Sequence, residues 1–298
     1  MFKRIITFFL FLLLTISFAH AKVIHQERSL YRNIIVEDND DLRCLKFNVK
    51  SNKTQQSCFY KSQPQQLVFN YTKLLMASLL FNTQPKRILI VGLGGGTMSN
   101  TLAELYPESN IDNIEIDPAV IKVARDYFGF FENDRVTTYN QDGRIFIKRA
   151  LLKKQSYDWI ILDAFNGDYI PEHLMTKEFL QEAKSLLSDN GILSSNTFSL
   201  SKLFAHESAT YKAVFGDFYQ VSNKVNSNRI ILVSKKGFSN SPPKTSNINK
   251  LDENLSLYGV DIKLLFRNMV NTKNQQNWPK NTRILTDQFS PANLLNAK

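Results

Sequence analysis

Cysteine and histidine are scarce in this sequence, and their spacing is not that of a metal site. The 298 residues include two cysteines and four histidines, with no C-x-x-C pair. The histidines, His20, His25, His173 and His206, lie far apart, and we interpret them as surface or core residues. Metal sites usually gather His and Cys ligands at short, regular spacings, so the sequence predicts no metal centre.

Long apolar runs are also missing, except at the amino terminus. Lys3 and Arg4 precede a mostly apolar run of 14 residues, Ile5 to Phe18, and Ala19-His20-Ala21 follows as a small-x-small sequence. This run is shorter than the ~20 residues that span a bilayer. The pattern is typical of a secretory signal peptide over residues 1–21, with export to the periplasm or beyond the cell. If it is not cleaved, the segment anchors the protein in the membrane.

Acidic residues are fewer than basic ones, 27 against 37, which gives a formal net charge of +10. The lysines are scattered rather than clustered, so the sequence predicts a solvated basic surface and no nucleic-acid site. Weak association with an anionic membrane surface stays open.

The two cysteines, Cys44 and Cys58, flank a predicted hairpin turn at Val49–Lys53. A symmetric hairpin places them opposite each other, and in an oxidising compartment they would form a disulfide worth ~3 kcal/mol in the chain-entropy model. The alternative is two unpaired thiols.

The most informative stretch is an apolar run, residues 88–91, that ends in a glycine cluster from Gly92 to Gly96. Apolar residues then recur at helical spacing: Met98, Leu102 and Leu105. The pattern predicts a buried parallel strand, a tight turn and a helix, which together open a nucleotide-binding α/β domain. Thr97 stands where the third glycine of G-x-G-x-x-G belongs, so a plain tight turn remains the alternative.

Acidic residues follow three further predicted strands. Glu115, 23 residues after Gly92, is close to the spacing of a ribose-binding carboxylate. Asp117 precedes Pro118, and we interpret it as a helix cap. Asp142 is either an adenine contact or a turn residue, and Asp163 ends the strand Tyr157–Leu162, where open α/β sheets bind ligands.

Four regions follow the predicted signal peptide. Residues 26–66 are expected to form a small β domain, residues 67–84 an amphipathic linking helix, residues 85–236 a Rossmann-like domain, and residues 237–298 a linker and C-terminal extension. Within them we predict a turn at Ser188–Gly191 and a polar linker or surface loop at 238–250.

The combined motifs, ILIVGLGGG, IEIDP, QDGR, YDWIILDAFNGDYIPEHL and LTDQFSP, resemble the spermidine synthase family. More closely, they are similar to its divergent branch that is also found fused to membrane transporter segments. The resemblance implies an α/β fold, with a small N-terminal β-hairpin domain joined to a methyltransferase-type Rossmann domain that has a seven-stranded, mostly parallel sheet.

The resemblance also implies a nucleoside sulfonium co-substrate, S-adenosylmethionine or its decarboxylated form, without a metal. Its partner would be a small-molecule amine or another acceptor, and a homodimer stays open. The implied catalytic residues are Asp163, as base and amine anchor, and Asp168. The implied nucleoside-binding residues are Gly92, Gly94, Gly96, Glu115, Asp142 and Gly143.

Two departures from the family pattern concern the amine side of the site. Typical members have an aspartate where this chain has Gly95, and a Tyr-His-Glu triplet where it has Tyr71, Thr72 and Lys73. We therefore expect nucleoside binding to persist while polyamine synthesis is weak or absent. Two rival functions remain: an S-adenosylmethionine-dependent methyltransferase and an exported binding module without catalysis.

Overall fold

The computed structural model describes residues 21–47, 55–165, 169–222, 227–238 and 243–290. The predicted signal peptide, apart from Ala21, lies outside these residues, and so does the predicted turn Val49–Lys53. No helix in the described ranges has the length and apolar composition needed to cross a membrane.

The amino-terminal domain is an antiparallel sheet of four strands in sequential order: β1 (Lys22–Arg28), β2 (Asn33–Asn39), β3 (Leu42–Phe47) and β4 (Gln55–Tyr60). Strand β1 begins at Lys22, four residues before the predicted start of the small β domain at residue 26. It is a mostly polar and exposed edge strand, so it lacks the alternation of apolar and polar residues that marks a half-buried strand.

Cys44 and Cys58 are direct partners in the pairing of β3 with β4. Their Cα atoms are 4.1 Å apart, and their sulfur atoms are joined in a disulfide. The bond ties together the two strands that flank residues 48–54.

The second sheet has eight strands: β5 (Arg87–Val91), β6 (Asn110–Glu115), β7 (Val136–Asn140), β8 (Tyr157–Leu162), β9 (Leu187–Phe198), β10 (Tyr219–Ser222), β11 (Asn228–Ser234) and β12 (Val270–Asn271). Their order is β12-β10-β11-β9-β8-β5-β6-β7. The five strands from β9 to β7 are parallel, whereas β11, β10 and β12 each pair antiparallel. The expected α/β fold is confirmed, and the two-residue β12 is an addition at one edge.

Helices cover both faces of this sheet: α1 (Asn70–Leu75), α2 (Thr97–Leu105), α3 (Pro118–Phe128), α4 (Gly143–Leu152), α5 (Lys177–Leu186), α6 (Phe204–Phe215), α7 (Thr245–Leu255) and α8 (Ile262–Asn268). Short 3₁₀ helices span Met76–Leu80, Glu172–Leu174 and Ser256–Tyr258. Successive residues of β5 point to opposite faces, so Ile88 joins one hydrophobic core and Leu89 the other. The amino-terminal sheet packs its own apolar face, including Ile34 and Leu45, against Val120 and Val123 of α3.

Three local predictions were wrong. The linking helix is shorter than 67–84: α1 ends at Leu75 and continues as the 3₁₀ helix, and residues 74–80 are buried throughout rather than amphipathic.

The predicted turn Ser188–Gly191 lies inside β9, where the pairing shifts from Tyr157↔Leu187 to Trp159↔Ile192 and leaves these residues as a large bulge.

Helix α7 starts at Thr245, inside the predicted polar loop 238–250. Its apolar residues are sparse, but Ile248, Leu251 and Leu255 recur at helical spacing and are all buried. Tertiary packing of this single apolar face therefore stabilises a helix that local composition does not indicate.

Candidate active site

The carboxyl ends of β5, β6 and β8 line a cavity of about 280 Å³. Strand β5 lies between β6 and β8, because the chain passes from β5 to β6 and β7 and then crosses back to β8. This is the switch point at which open α/β sheets place their ligands. Side chains from the amino-terminal sheet and from α1 line the same cavity.

The glycine loop brings the ends of β5 and β8 together. Gly92 has φ +101°, and a Cβ there would lie 2.3 Å from the carbonyl oxygen of Asp163. Gly92 and Gly94 line the cavity. Gly96 is the N-cap of α2, with φ +74°, and a Cβ on it would lie 2.5 Å from Phe130, so its place in the structure is explained by packing.

Glu115 lies at the end of β6 and is buried against the glycine loop. Its Oε2 accepts a hydrogen bond from the backbone N–H of Leu93 at 3.2 Å, and its Oε1 accepts one from Asp117 at 3.0 Å. Burial raises the pKa of the Glu115 carboxyl. The Asp117 N–H and the Arg32 charge lower it, but burial is the larger effect. The backbone thus fixes both oxygens at the cavity wall, where they keep lone pairs for hydroxyl donors.

Asp117 itself does not line the cavity. Its side chain is fully buried, accepts a hydrogen bond from the N–H of Ala119 at 3.0 Å, and accepts another from Ser29 Oγ at 2.6 Å. It therefore caps α3 and fastens the amino-terminal segment to it, and Pro118 follows at the first helical position.

The Asp142 side chain uses one oxygen to cap a helix and turns the other toward His173 at the cavity. Its Oδ1 caps α4 by accepting the N–H groups of Arg144 and Ile145, while its Oδ2 lies 2.7 Å from His173 Nε2. Burial opposes ionisation, yet the hydrogen bonds from His173 and Ile145 leave the pKa of Asp142 below its usual value. Asp142, Gly143 and His173 all line the cavity, so His173 belongs to this site rather than to an unrelated surface.

Asp163 follows β8 and faces the same cavity. Asn196 Nδ2 donates a hydrogen bond to Asp163 Oδ1 at 2.8 Å, and the Tyr71 hydroxyl bonds the same carboxylate. Burial raises the pKa of Asp163 to about 7, although both hydrogen bonds lower it. A carboxylate with a pKa near neutrality can accept a proton and release it again at physiological pH. The second predicted catalytic residue, Asp168, lies outside the described residues.

The two departures on the amine side have a structural explanation. A Cβ at Gly95 would lie 2.8 Å from both Phe128 Cδ1 and Ser57 Oγ, so these side chains fill the space that an aspartate would need. Lys73 does not line the cavity, and its Nζ lies beside Gly259. Lys73 therefore adds no positive charge to the cavity wall.

The cation that lines the cavity is Arg32, between β1 and β2. Its guanidinium stacks over the Phe47 ring at 4.3 Å and donates a hydrogen bond to the Phe165 carbonyl at 3.2 Å. Its Nε lies 3.7 Å from Asp117 Oδ2, so the positive charge is partly compensated.

In the part of the chain that the structure describes, no three His, Cys, Asp or Glu side chains come together as they would around a metal ion. The carboxylates that line this cavity, Glu115, Asp142 and Asp163, are instead acceptors suited to hydroxyl, amino and ammonium groups.

A family model for the spermine/spermidine synthase domain matches residues 68–238. The polyamine aminopropyltransferase of Vibrio vulnificus is 46% identical over 286 residues, which covers 95% of each chain. This chain belongs to the spermine/spermidine synthase family. Two solved structures share the family's fold: a probable spermidine synthase from Corynebacterium glutamicum and human methyltransferase-like protein 13 in complex with SAH.

The Corynebacterium structure has a TM-score of 0.64 at 22% identity and covers 82% of this chain and 92% of its own. The human structure has a TM-score of 0.56 at 24% identity and covers 72% and 97%. At these identities the two likenesses establish the fold.

The sequence did not single out three residues of the synthase site: Asn196, Arg32 and His173. Asn196 follows a buried run in β9, next to β8, and a search for polar residues at neighbouring strand ends would have found it. Arg32 and His173 reach the cavity from outside the eight-stranded sheet. His173 lies in the quoted motif YDWIILDAFNGDYIPEHL, which could have drawn attention to it, whereas no local pattern marks Arg32.

Proposed function

We propose that this protein transfers an aminopropyl group from decarboxylated S-adenosylmethionine to a small amine. The observation that carries the proposal is Asp163, a carboxylate with a pKa of about 7 at the switch point of the sheet, beside Glu115 in one cavity. Membership of the spermine/spermidine synthase family supports it.

The chemistry needs a base because a protonated amine has no lone pair with which to attack. A neutral amine nitrogen attacks the carbon next to the sulfonium, so a C–N bond forms and the C–S bond breaks. The electron pair of that bond stays on sulfur, and the product is the neutral thioether methylthioadenosine. The proton of the attacking nitrogen passes to Asp163, whose pKa of about 7 suits this exchange.

Glu115 and Asp142, which line the same cavity as Asp163, would hold the nucleoside half of the co-substrate. Glu115 offers two backbone-fixed oxygens for the ribose hydroxyls, and Asp142 offers Oδ2 for the adenine amino group. His173 already contacts that oxygen, and a carboxylate oxygen has a second lone pair for another donor.

The test is turnover of the purified protein with putrescine and decarboxylated S-adenosylmethionine, followed by mass spectrometry. We expect methylthioadenosine and an aminopropylated amine in equal amounts, formed slowly because no acid occupies position 95, and neither product with Asp163→Asn. Binding of methylthioadenosine without turnover on any amine would favour the exported, non-catalytic module.

Methyl transfer from S-adenosylmethionine is the second candidate. Two observations favour it: Arg32 lines the cavity, and no acid occupies position 95. A guanidinium suits the carboxylate that S-adenosylmethionine has and its decarboxylated form lacks. This reaction would be identified by two products formed together, S-adenosylhomocysteine and a methylated acceptor.

We further propose that the mature protein begins at Lys22 and works outside the cytoplasm. The Lys3-Arg4 pair, the apolar run and Ala19-His20-Ala21 support export, and the Cys44–Cys58 disulfide suits an oxidising compartment. Mass spectrometry of the native protein should find Lys22 at its amino terminus, and intact residues 1–21 in a soluble cytoplasmic fraction would contradict export.

A further inference from the structure

A chain of two amide side chains ends at Asp163. Asn228 begins β11, and its Nδ2 donates a hydrogen bond to Asn196 Oδ1 at 2.9 Å. Asn196 lies on β9, and its own Nδ2 donates to Asp163 Oδ1 at 2.8 Å. Strands β11, β9 and β8 are consecutive neighbours in the sheet, so regular backbone pairing holds all three side chains in place.

The direction of the Asn196 amide decides which form of Asp163 is favoured. An amide N–H stabilises a carboxylate, whereas an amide oxygen repels a carboxylate and accepts a hydrogen bond from the protonated acid. Turning the amide by 180° would exchange one partner for the other. In the observed arrangement Asn228 opposes this turn, because its Nδ2 donates a hydrogen bond to the Asn196 oxygen.

We propose that Asn196 and Asn228 are positioning residues for Asp163: Asn228 fixes the Asn196 amide with its N–H toward the carboxylate, and this keeps Asp163 ready to accept a proton. The inference rests on the proposed function, in which Asp163 is the base. Neither residue needs to contact the substrate for this role.

The other ionisable groups around Asp163 stay unchanged in the test. Tyr71 donates the second hydrogen bond that lowers the pKa of Asp163. Arg32, Glu115, Asp142 and His173 line the same cavity, and Glu207 and Tyr211 line a smaller cavity behind Asn196. Glu207 pairs with Arg229 at 3.0 Å. Because every variant retains these groups, a difference between variants reports on the amide chain.

The first measurement is the titration of the Asp163 carboxyl carbon by ¹³C NMR, with its signal assigned from Asp163→Asn. Loss of a hydrogen bond to a charged group should raise the midpoint by about 1–2 pH units in Asn196→Ala. Asn228→Ala, which frees the amide to turn, should raise it by about 1 unit.

Asn228→Asp keeps the size of the side chain but adds a negative charge, which also raises the midpoint, so the uncharged Asn228→Ala is the variant that decides. Its carboxylate accepts from Asn196 Nδ2, so the amide turns and presents Oδ1 to Asp163, and the midpoint should rise at least as far as in Asn228→Ala. Asn82→Ala is the matched control: it removes an amide that donates to the Asp158 carbonyl at 3.4 Å, near the amino-terminal end of β8, and should leave the midpoint unchanged.

The second measurement is the pH profile of kcat/KM. Its acid limb should move upward with the NMR midpoint, so that at pH 6 the Asn228 variants are about tenfold slower than the wild type and approach it above pH 9. An unmoved midpoint in both Asn196→Ala and Asn228→Ala overturns the inference, as does an equal loss of activity at every pH. If the wild type shows no transfer, the proposed function fails, while the NMR titration still decides the inference.

Discussion

Replacing Asp163 with Asn should abolish transfer and at the same time stabilise the protein at alkaline pH. The amide keeps the shape of the carboxyl, can accept from Asn196 and can donate to Tyr71, but it cannot take a proton. The folded-state pKa of Asp163 is about 7, against 3.8 for the unperturbed group. A shift of about three units corresponds to about 4 kcal/mol.

The sign of the effect follows from the direction of the pKa shift. Between about pH 4 and pH 7 the folded state binds the Asp163 proton more tightly than the unfolded state, so this group lowers stability as pH rises through that window. The Asp163→Asn variant has no such dependence, because its amide does not titrate. Allowing for water in the cavity, we expect the variant to exceed the wild type by about 2–4 kcal/mol at pH 8 and by nearly nothing at pH 4.

Urea unfolding of both proteins at the two pH values, together with the transfer assay, measures both effects. Asp189→Asn is the control, because Asp189 is an exposed carboxylate paired with Lys236 at 2.7 Å, and its replacement should leave stability nearly unchanged at both pH values. Equal stabilities at pH 8, or transfer that survives in Asp163→Asn, would refute the assignment of Asp163 as a buried base.

Three further predictions concern other parts of the molecule. Glu115→Ala should weaken methylthioadenosine binding by about 1–3 kcal/mol in calorimetry, because the N–H groups of Leu93 and Asp117 lose their acceptor; unchanged affinity would place the ribose elsewhere. Cys44→Ser should lower the free energy of unfolding by about 3 kcal/mol and remove its sensitivity to reductant; a wild type indifferent to reductant would speak against the disulfide. Gly95→Asp should lower the free energy of unfolding by about 1–3 kcal/mol, because its Cβ would contact Phe128 and Ser57, and it should not tighten putrescine binding. A more stable variant would show that these two side chains can move aside without cost.

The sequence predicted the parts of the site that depend on neighbours along the chain. A buried strand followed by glycines, or by a single acidic residue, forms a pattern of neighbouring residues. This pattern alone places Gly92, Glu115, Asp142 and Asp163 at one edge of the sheet. Asn196 and Arg32 act through neighbours far away in sequence. The direction of Lys73 also depends on tertiary packing, here against Gly259, rather than on its place in a motif.

The strands and helices also fall into two groups, those that the sequence predicts and those that depend on tertiary packing. Strands β5 and β8 were predictable because both are almost entirely buried and consist mainly of continuous apolar runs. The edge strand β1 and helix α7 were not, because each has few apolar residues and is held by the sheet or core beside it. The bulge in β9 contains turn-forming residues, and only the pairing of Leu187 with Tyr157 shows that the strand passes through them.

The most direct test of the central claim is a product analysis with two co-substrates in parallel. The purified protein is incubated with putrescine and either decarboxylated S-adenosylmethionine or S-adenosylmethionine, and every nucleoside product is quantified. We expect methylthioadenosine from the decarboxylated co-substrate, with one aminopropylated amine for each molecule formed. S-adenosylhomocysteine as the sole nucleoside product would contradict aminopropyl transfer.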